Sequence, residues 1–193
     1  MYQKRNKEFE VIALFTGSYK RELYLREISK LSKIPLKTTQ NTLNFLEKNK
    51  IIKSIQRGKN KYFSLNQANT QTKFYMLQAE IHKTKVFLET YSQFKTFLKE
   101  ITIDNPIIVF GSFAKFTADR DSDVDILTIS KKEPKLPSHL LPNKIHLLNI
   151  SKNQFIKSLK KQETLIKEIE ENHIILNNHS FYVNAMWNYY GRR

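Results

Sequence analysis

Apolar side chains recur at helical spacing through the first third of the chain and then give way to short apolar runs. Phe9, Ile12, Leu14 and Phe15 predict a helix over residues 7–17. Leu25, Ile28 and Leu31 stand three apart and predict a second helix over 24–32. Ile34 and Pro35 break that pattern, and proline suits the first turn of a third helix running to about Asn49. Thr39, Leu43 and Leu46 form its inner face, and Lys37, Gln40, Asn41, Asn44 and Lys48 its outer one. Ile51, Ile52 and Ile55, then Tyr62, Phe63 and Leu65, flank the turn QRGKNK around Gly58 and predict a β-hairpin.

Residues 68–100 contain neither Pro nor Gly and read as one long helix. Phe74, Leu77, Ile81, Thr84, Leu88, Tyr91, Lys95 and Leu98 follow a three-four alternation, a heptad seam with two polar defects. Such a seam suits a second copy of the chain or the neighbouring domain, and the first is preferred. Beyond it, Ile107–Phe110 and Asp123–Ile129 predict buried strands, and residues 144–151 (KIHLLNIS) a later one. Ser151 is placed to cap a helix over Asn153–Glu170. Ile174–Leu176 reads as a short extended stretch, and Ser180 as the cap of a last helix, FYVNAMWNYY. The expected class is α/β. A domain over 1–66 and one over 101–193 are joined by a connecting helix over 67–100.

Composition narrows the classes. There are no cysteines among the 193 residues, so disulfides and thiolate metal sites are excluded. No apolar run approaches the roughly 20 residues that span a bilayer, and no export signal is read at the N-terminus. The expected location is the cytoplasm, away from the membrane. The net charge is +15, and residues 1–65 hold 15 Lys and Arg against 5 Asp and Glu. Clustered cations suit a polyanion, because each phosphate they neutralise releases counterions.

Helix, helix, helix, hairpin is the order of a winged helix-turn-helix, and residues 1–66 resemble the DNA-binding domains of MarR-type regulators. That resemblance implies double-stranded DNA as a partner. Lys37, Gln40, Asn41 and Asn44 of the third helix would face the major groove, with Arg57, Lys59 and Lys61 of the hairpin on the backbone or minor groove.

The chemistry lies in residues 106–130, PIIVFGSFAKFTADRDSDVDILTIS. Gly111-Ser112 ends the first strand, and Asp123 and Asp125 stand two apart at the start of the second, on one face. Two carboxylates in that relation suit a hard divalent cation. Gly111-Ser112, Ala114-Lys115 and Ser122-Asp123-Val124-Asp125-Ile126-Leu127 resemble the nucleotidyltransferase superfamily of DNA polymerase beta and the minimal nucleotidyltransferases. The resemblance implies a mixed-sheet fold, a nucleoside triphosphate as substrate or ligand, and Mg²⁺ or Mn²⁺ on Asp123 and Asp125. Gly111, Ser112 and Lys115 would serve the triphosphate, with the N–H groups of the following helix start as further anion donors.

Three departures stand out. Phe116 occupies a position that is glycine in many relatives. Lys115 and Arg120 are the candidates for a basic residue in the turn. Active relatives carry a further carboxylate on a later strand, but KIHLLNIS has none; its matching position is His146, with Asn149 on the opposite face and Glu133 as an outside candidate. His173 and His179 suggest no metal site. Two functions fit. One is transfer of a nucleoside monophosphate to a protein, RNA or small-molecule acceptor, antitoxin-like with a toxin-like protein partner. The other is a transcription regulator that senses nucleotide in a degenerate pocket.

Overall fold

The computed structural model describes residues 6–191, so the first five residues of the N-terminal segment read above lie outside it. The chain divides into two compact units, Met1–His82 with Met186–Arg193, and Lys83–Ala185. No helix among the described residues is long and apolar enough to cross a membrane.

In the first unit, α1 (Lys7–Ala13) is shorter than the spacing predicts. The chain turns over residues 14–17, where Thr16 Oγ1 donates to the Ala13 carbonyl. A two-residue strand, β1 (Leu23–Tyr24), then leads directly into α2 (Leu25–Ser32). Glu27 reaches back to accept from the Tyr24 N–H at 3.0 Å, which satisfies a donor the helix leaves open. Lys33 ends α2 in the left-handed conformation. Pro35 precedes α3 (Leu36–Lys48) as its cap residue. Thr39, Leu43 and Leu46 are buried, as their spacing requires. β2 (Ile52–Arg57) and β3 (Asn60–Leu65) form the hairpin, and Gly58 takes a φ of 57° in its two-residue turn. The sheet order is β1-β3-β2, all antiparallel.

Residues 68–100 are two helices, not one: α4 (Thr70–Thr90) and α5 (Gln93–Lys99). Around the break, the Phe94 N–H turns back onto the Tyr91 carbonyl. Phe87, Phe94 and Phe97 are all fully buried, and the Phe87 and Phe94 rings meet at 4.8 Å. Bending the chain at Tyr91 lets both segments direct their aromatics into one core. Phe74 and Ile81 are 60% and 50% exposed, whereas Thr72, Met76, Ala79, Thr84 and Phe87 are buried.

The second unit is built on β4 (Ile107–Phe110), β5 (Val124–Ile129), β6 (Ile145–Ile150) and β7 (Ile174–Asn177), in the order β6-β5-β4-β7. β4 runs antiparallel to β5 and β7, and β5 runs parallel to β6, so the expected mixed sheet is present. Ile107, Val109, Val124, Ile126, Ile174 and Leu176 share a core with the three phenylalanines and Phe113. The alternate residues Ile108, Leu127, Ile129 and Ile175 are also fully buried, so the central strands are covered on both faces. α6 (Gly111–Ala114) joins β4 to the loop before β5.

The helix expected over 153–170 is split into α7 (Lys152–Lys161) and α8 (Thr164–Glu171) by Gln162 in the left-handed conformation. Ser151 caps α7 in a reciprocal pair with Gln154. The stretch at Ile174 is a true strand, β7. The last helix, α9 (His179–Gly191), begins earlier than expected, and Asn178 Oδ1, not Ser180, accepts from the Phe181 N–H.

Candidate functional site

β4 and β5 are antiparallel neighbours in which Phe110 stands directly opposite Asp125. The residue after Phe110 therefore meets the Asp125 side chain. Gly111 has a φ of 68°, and a Cβ built on it would lie 2.2 Å from Asp125 Oδ2. Two independent constraints, backbone conformation and space, thus demand glycine there. Val124 is buried in the core, so Asp125, the next residue of the strand, lies on the opposite side from it. Asp123 is exposed and stands one residue before the strand begins; Asp125 is 28% exposed. The contact that the structure gives is between Asp125 and Gly111; Asp123 lies just ahead of the strand at the same end of the sheet.

The loop between α6 and β5 is held by its own polar groups. Asp119 Oδ1 accepts from Ser122 Oγ and from the Asp121 N–H. These bonds, the Ser122 hydroxyl foremost, hold the Asp119 carboxyl below the usual carboxylate range. Asn143 donates to the carbonyls of Arg120 and Ser122, tying the loop to the entrance of β6. Nothing in the sequence pattern singled out Asn143; an isolated Asn before a strand carries no signal of its own.

α6 is a single turn. Its first N–H groups lack intrahelical partners, but a four-residue helix has little dipole to add to them. Lys115, expected at the triphosphate, pairs with Glu168 of α8 at 3.1 Å. Phe116 closes the turn with a φ of 58°, the conformation that favours glycine. Its ring stacks on Tyr91 at 6.0 Å, and it remains 43% exposed. A glycine there would lack that contact.

Parallel pairing places His146 of β6 directly opposite Asp125. His146 Nδ1 lies 3.1 Å from Asp125 Oδ1. The imidazole therefore occupies the flank where the sequence lacked an acid. Glu133 is exposed beyond the other end of β5 and is not a substitute. Asn149 lies on the opposite face of β6, accepting from Thr128 and Ser130. Among the described residues, no group of three or more His, Cys, Asp or Glu converges to hold a metal ion. The two aspartates fit one hard cation shared with a phosphate ligand. His173 is buried, within 2.8 Å of the Ile169 carbonyl and 3.2 Å of Lys83 Nζ, a structural setting.

In the first unit, Lys37, Gln40, Asn41 and Asn44 are exposed on the outer face of α3. Gln40 and Asn44 line a groove of 680 Å³ with Arg26, Lys59 and Lys61. Lys37 and Asn41 do not line it. The hairpin cations differ in state. Arg57 grips both carboxylate oxygens of Glu22. Lys61 pairs with Glu47 at 2.8 Å. Lys59, at the tip, is exposed.

No curated protein and no solved structure matches the chain. Residues 91–180 match the family model described as the nucleotidyltransferase domain, and Gly111, Ser112, Asp123 and Asp125 all fall within the matched segment, at one end of its sheet.

Proposed function

We propose that the chain couples metal-dependent nucleotidyl transfer in its second unit to binding of double-stranded DNA by its first. The observation that carries the transfer reading is the contact between Gly111 and Asp125. With no Cβ on Gly111, the Asp125 carboxylate lies against the backbone at the start of α6, which suits a cation bridging that carboxylate and a triphosphate at the helix start. In the reaction, an acceptor hydroxyl oxygen attacks the α-phosphorus and gives up its proton to water, a new P–O bond forms, the bond to the oxygen bridging the α- and β-phosphates breaks, and pyrophosphate leaves. Asp123 and Asp125 would hold Mg²⁺ or Mn²⁺, which supplies charge neutralisation at the phosphates when bound. Gly111 admits the triphosphate, Ser112 contributes a hydroxyl, and Lys115 reaches it by leaving Glu168. The acceptor is a protein, RNA or small molecule; a toxin-like protein acceptor would make the chain an antitoxin.

The winged helix reading rests on the exposed polar face of α3 and the basic hairpin beside it. In it, α3 enters the major groove and the hairpin follows the backbone. The exposed Phe74 and Ile81, seven residues apart on α4, support pairing of two copies, which sedimentation of the purified chain would detect as a dimer.

The test is incubation with α-labelled nucleoside triphosphates and Mg²⁺ or Mn²⁺, following label into the chain itself, cell-lysate protein and RNA. Transfer lost on Asp123→Asn with Asp125→Asn is the expected result. Binding without transfer to any acceptor would support a second reading, a transcription regulator that senses nucleotide. His146 in contact with Asp125 is the observation that favours it.

A further inference from the structure

The geometry points to a second binding site in the second unit, at the end of its sheet away from Asp125, that takes a small phosphate monoester bearing free hydroxyls. β5 and β6 run parallel, and their last residues, Ile129 and Ile150, are paired neighbours. The chain leaves β5 through Ser130, Lys131 and Lys132, and leaves β6 through Ser151, Lys152 and Asn153. A groove of about 710 Å³ opens there, lined by both exits and by Asp104. Small-molecule sites span about 300–1,000 Å³, and open α/β sheets bind ligands outside the carboxyl ends of their strands. Asp125 lies five residues before Ser130 on an extended strand, about 17 Å away. The groove is therefore separate from the aspartate site, and binding there does not depend on a nucleotide at Asp125.

Charge decides the class of ligand. Lys131, Lys132 and Lys152 are exposed, and none of them pairs with an acid among the described residues, whereas Arg57, Lys61 and Lys115 all do. Lys152 lies over the Phe181 ring at 5.3 Å. The Asp104 side chain is likewise unpaired among the described residues, while Asn178 Nδ2 fixes its main chain by donating to its carbonyl at 3.0 Å. Three ammonium groups and one carboxylate leave the groove a net charge of +2. A phosphate monoester carries about −1.5 to −2 near neutral pH and balances it. A phosphodiester carries a single charge, and a long polyanion would have to run past Asp104. A carboxylate only accepts hydrogen bonds, so Asp104 calls for a donor on the ligand. The lining holds no aromatic ring on which a base could stack, so hydroxyls are the donors that fit. The start of α7 offers the anion little, because Ser151 and Gln154 close its first turn on themselves. The ligand is thus sugar-like, with its phosphate on the lysines and a hydroxyl on Asp104.

The experiment titrates ribose 5-phosphate, inorganic phosphate and a short RNA without a terminal phosphate into the full chain by calorimetry, with a chelator present so that the aspartate site carries no cation. Ribose 5-phosphate should bind the wild type. Lys131→Gln with Lys152→Gln should weaken it about tenfold, the loss of one charge-assisted hydrogen bond. Asp104→Asn should weaken ribose 5-phosphate but not inorganic phosphate, and Asp123→Asn with Asp125→Asn should leave both unchanged. The replaced lysines and Asp104 are exposed, so their variants should melt like the wild type. No binding of ribose 5-phosphate by the wild type, or equal binding by the folded lysine variant, would overturn the site. Loss of binding in the aspartate variant would overturn its placement. Tighter, lysine-dependent binding of the RNA would overturn the monoester, and an equal effect of Asp104→Asn on both phosphates would overturn the hydroxylated ligand.

Discussion

Gly111 and Phe116 sit five residues apart, both with positive φ, and answer to different constraints. Gly111 is fixed by its conformation and by Asp125 pressed against its Cα. Gly111→Ala should cost about 1–3 kcal/mol in backbone strain alone and push the carboxylate aside. The expected result is a lowered melting temperature with loss of triphosphate binding, read by calorimetry and titration. Phe116 bears the same kind of backbone strain but gains a stacked contact with Tyr91. In Phe116→Gly, relief of about 1–2 kcal/mol of left-handed strain is set against loss of about 0.5–1.5 kcal/mol of ring contact. Its melting temperature should stay close to the wild type, in contrast to Gly111→Ala. At this scale the Gly111–Asp125 contact follows from the strand pairing that the sequence predicts. His146, the position that the sequence matches to the missing acid, does stand opposite Asp125 across β5 and β6. The pairing of Lys115 with Glu168 was not legible, because 53 residues separate the partners and nothing local links them.

Elements were read best where apolar spacing alone decides them. α2, α3, the hairpin and the strands β4 to β6 follow from it. The breaks were hidden. α4 and α5 part at Tyr91, and α7 and α8 at Gln162, with no Gly or Pro at either place. Tertiary demands decide these breaks: three phenylalanines must enter one core in the first case, and a non-glycine residue closes the helix in the second. On α4 the seam positions Phe74 and Ile81 lie outside while Thr72, off the seam, lies inside. The hairpin is tied to α3 through Glu47, which accepts from Lys61 and from Ser54. Burial pushes the Glu47 carboxyl up, but the Lys61 and Ser54 bonds together outweigh it and hold it below its ordinary value. A depressed carboxyl stabilises the fold above its ordinary range and loses that contribution as pH falls through the lowered value. Glu47→Gln should therefore reduce stability at neutral pH by no more than about 1 kcal/mol for so exposed a pair. Its deficit should vanish at acid pH below the usual glutamate range, as parallel thermal melts of the two chains would record.

Over the whole molecule, charge and chemistry are distributed unevenly: the first third holds most of the net positive charge, and the aspartate site lies in the second unit. If the first unit grips DNA, each lost phosphate contact should lower the salt slope of binding by about one. Lys59→Ala should do so fully. Arg57→Ala should do less, because Arg57 must first leave Glu22. Fluorescence anisotropy with a labelled duplex across a salt series separates the two; equal slopes for both variants and the wild type would remove the hairpin from the interface. The sheet order has a kinetic consequence as well. Gly111 and Asp125 lie 14 residues apart on adjacent antiparallel strands, whereas His146 reaches Asp125 from a parallel strand 21 residues further on. Short loops close before long ones are rewarded. The glycine–aspartate half of the site should therefore assemble first during folding. Pulsed hydrogen exchange should find amides of residues 107–129 protected while those of residues 145–150 still exchange.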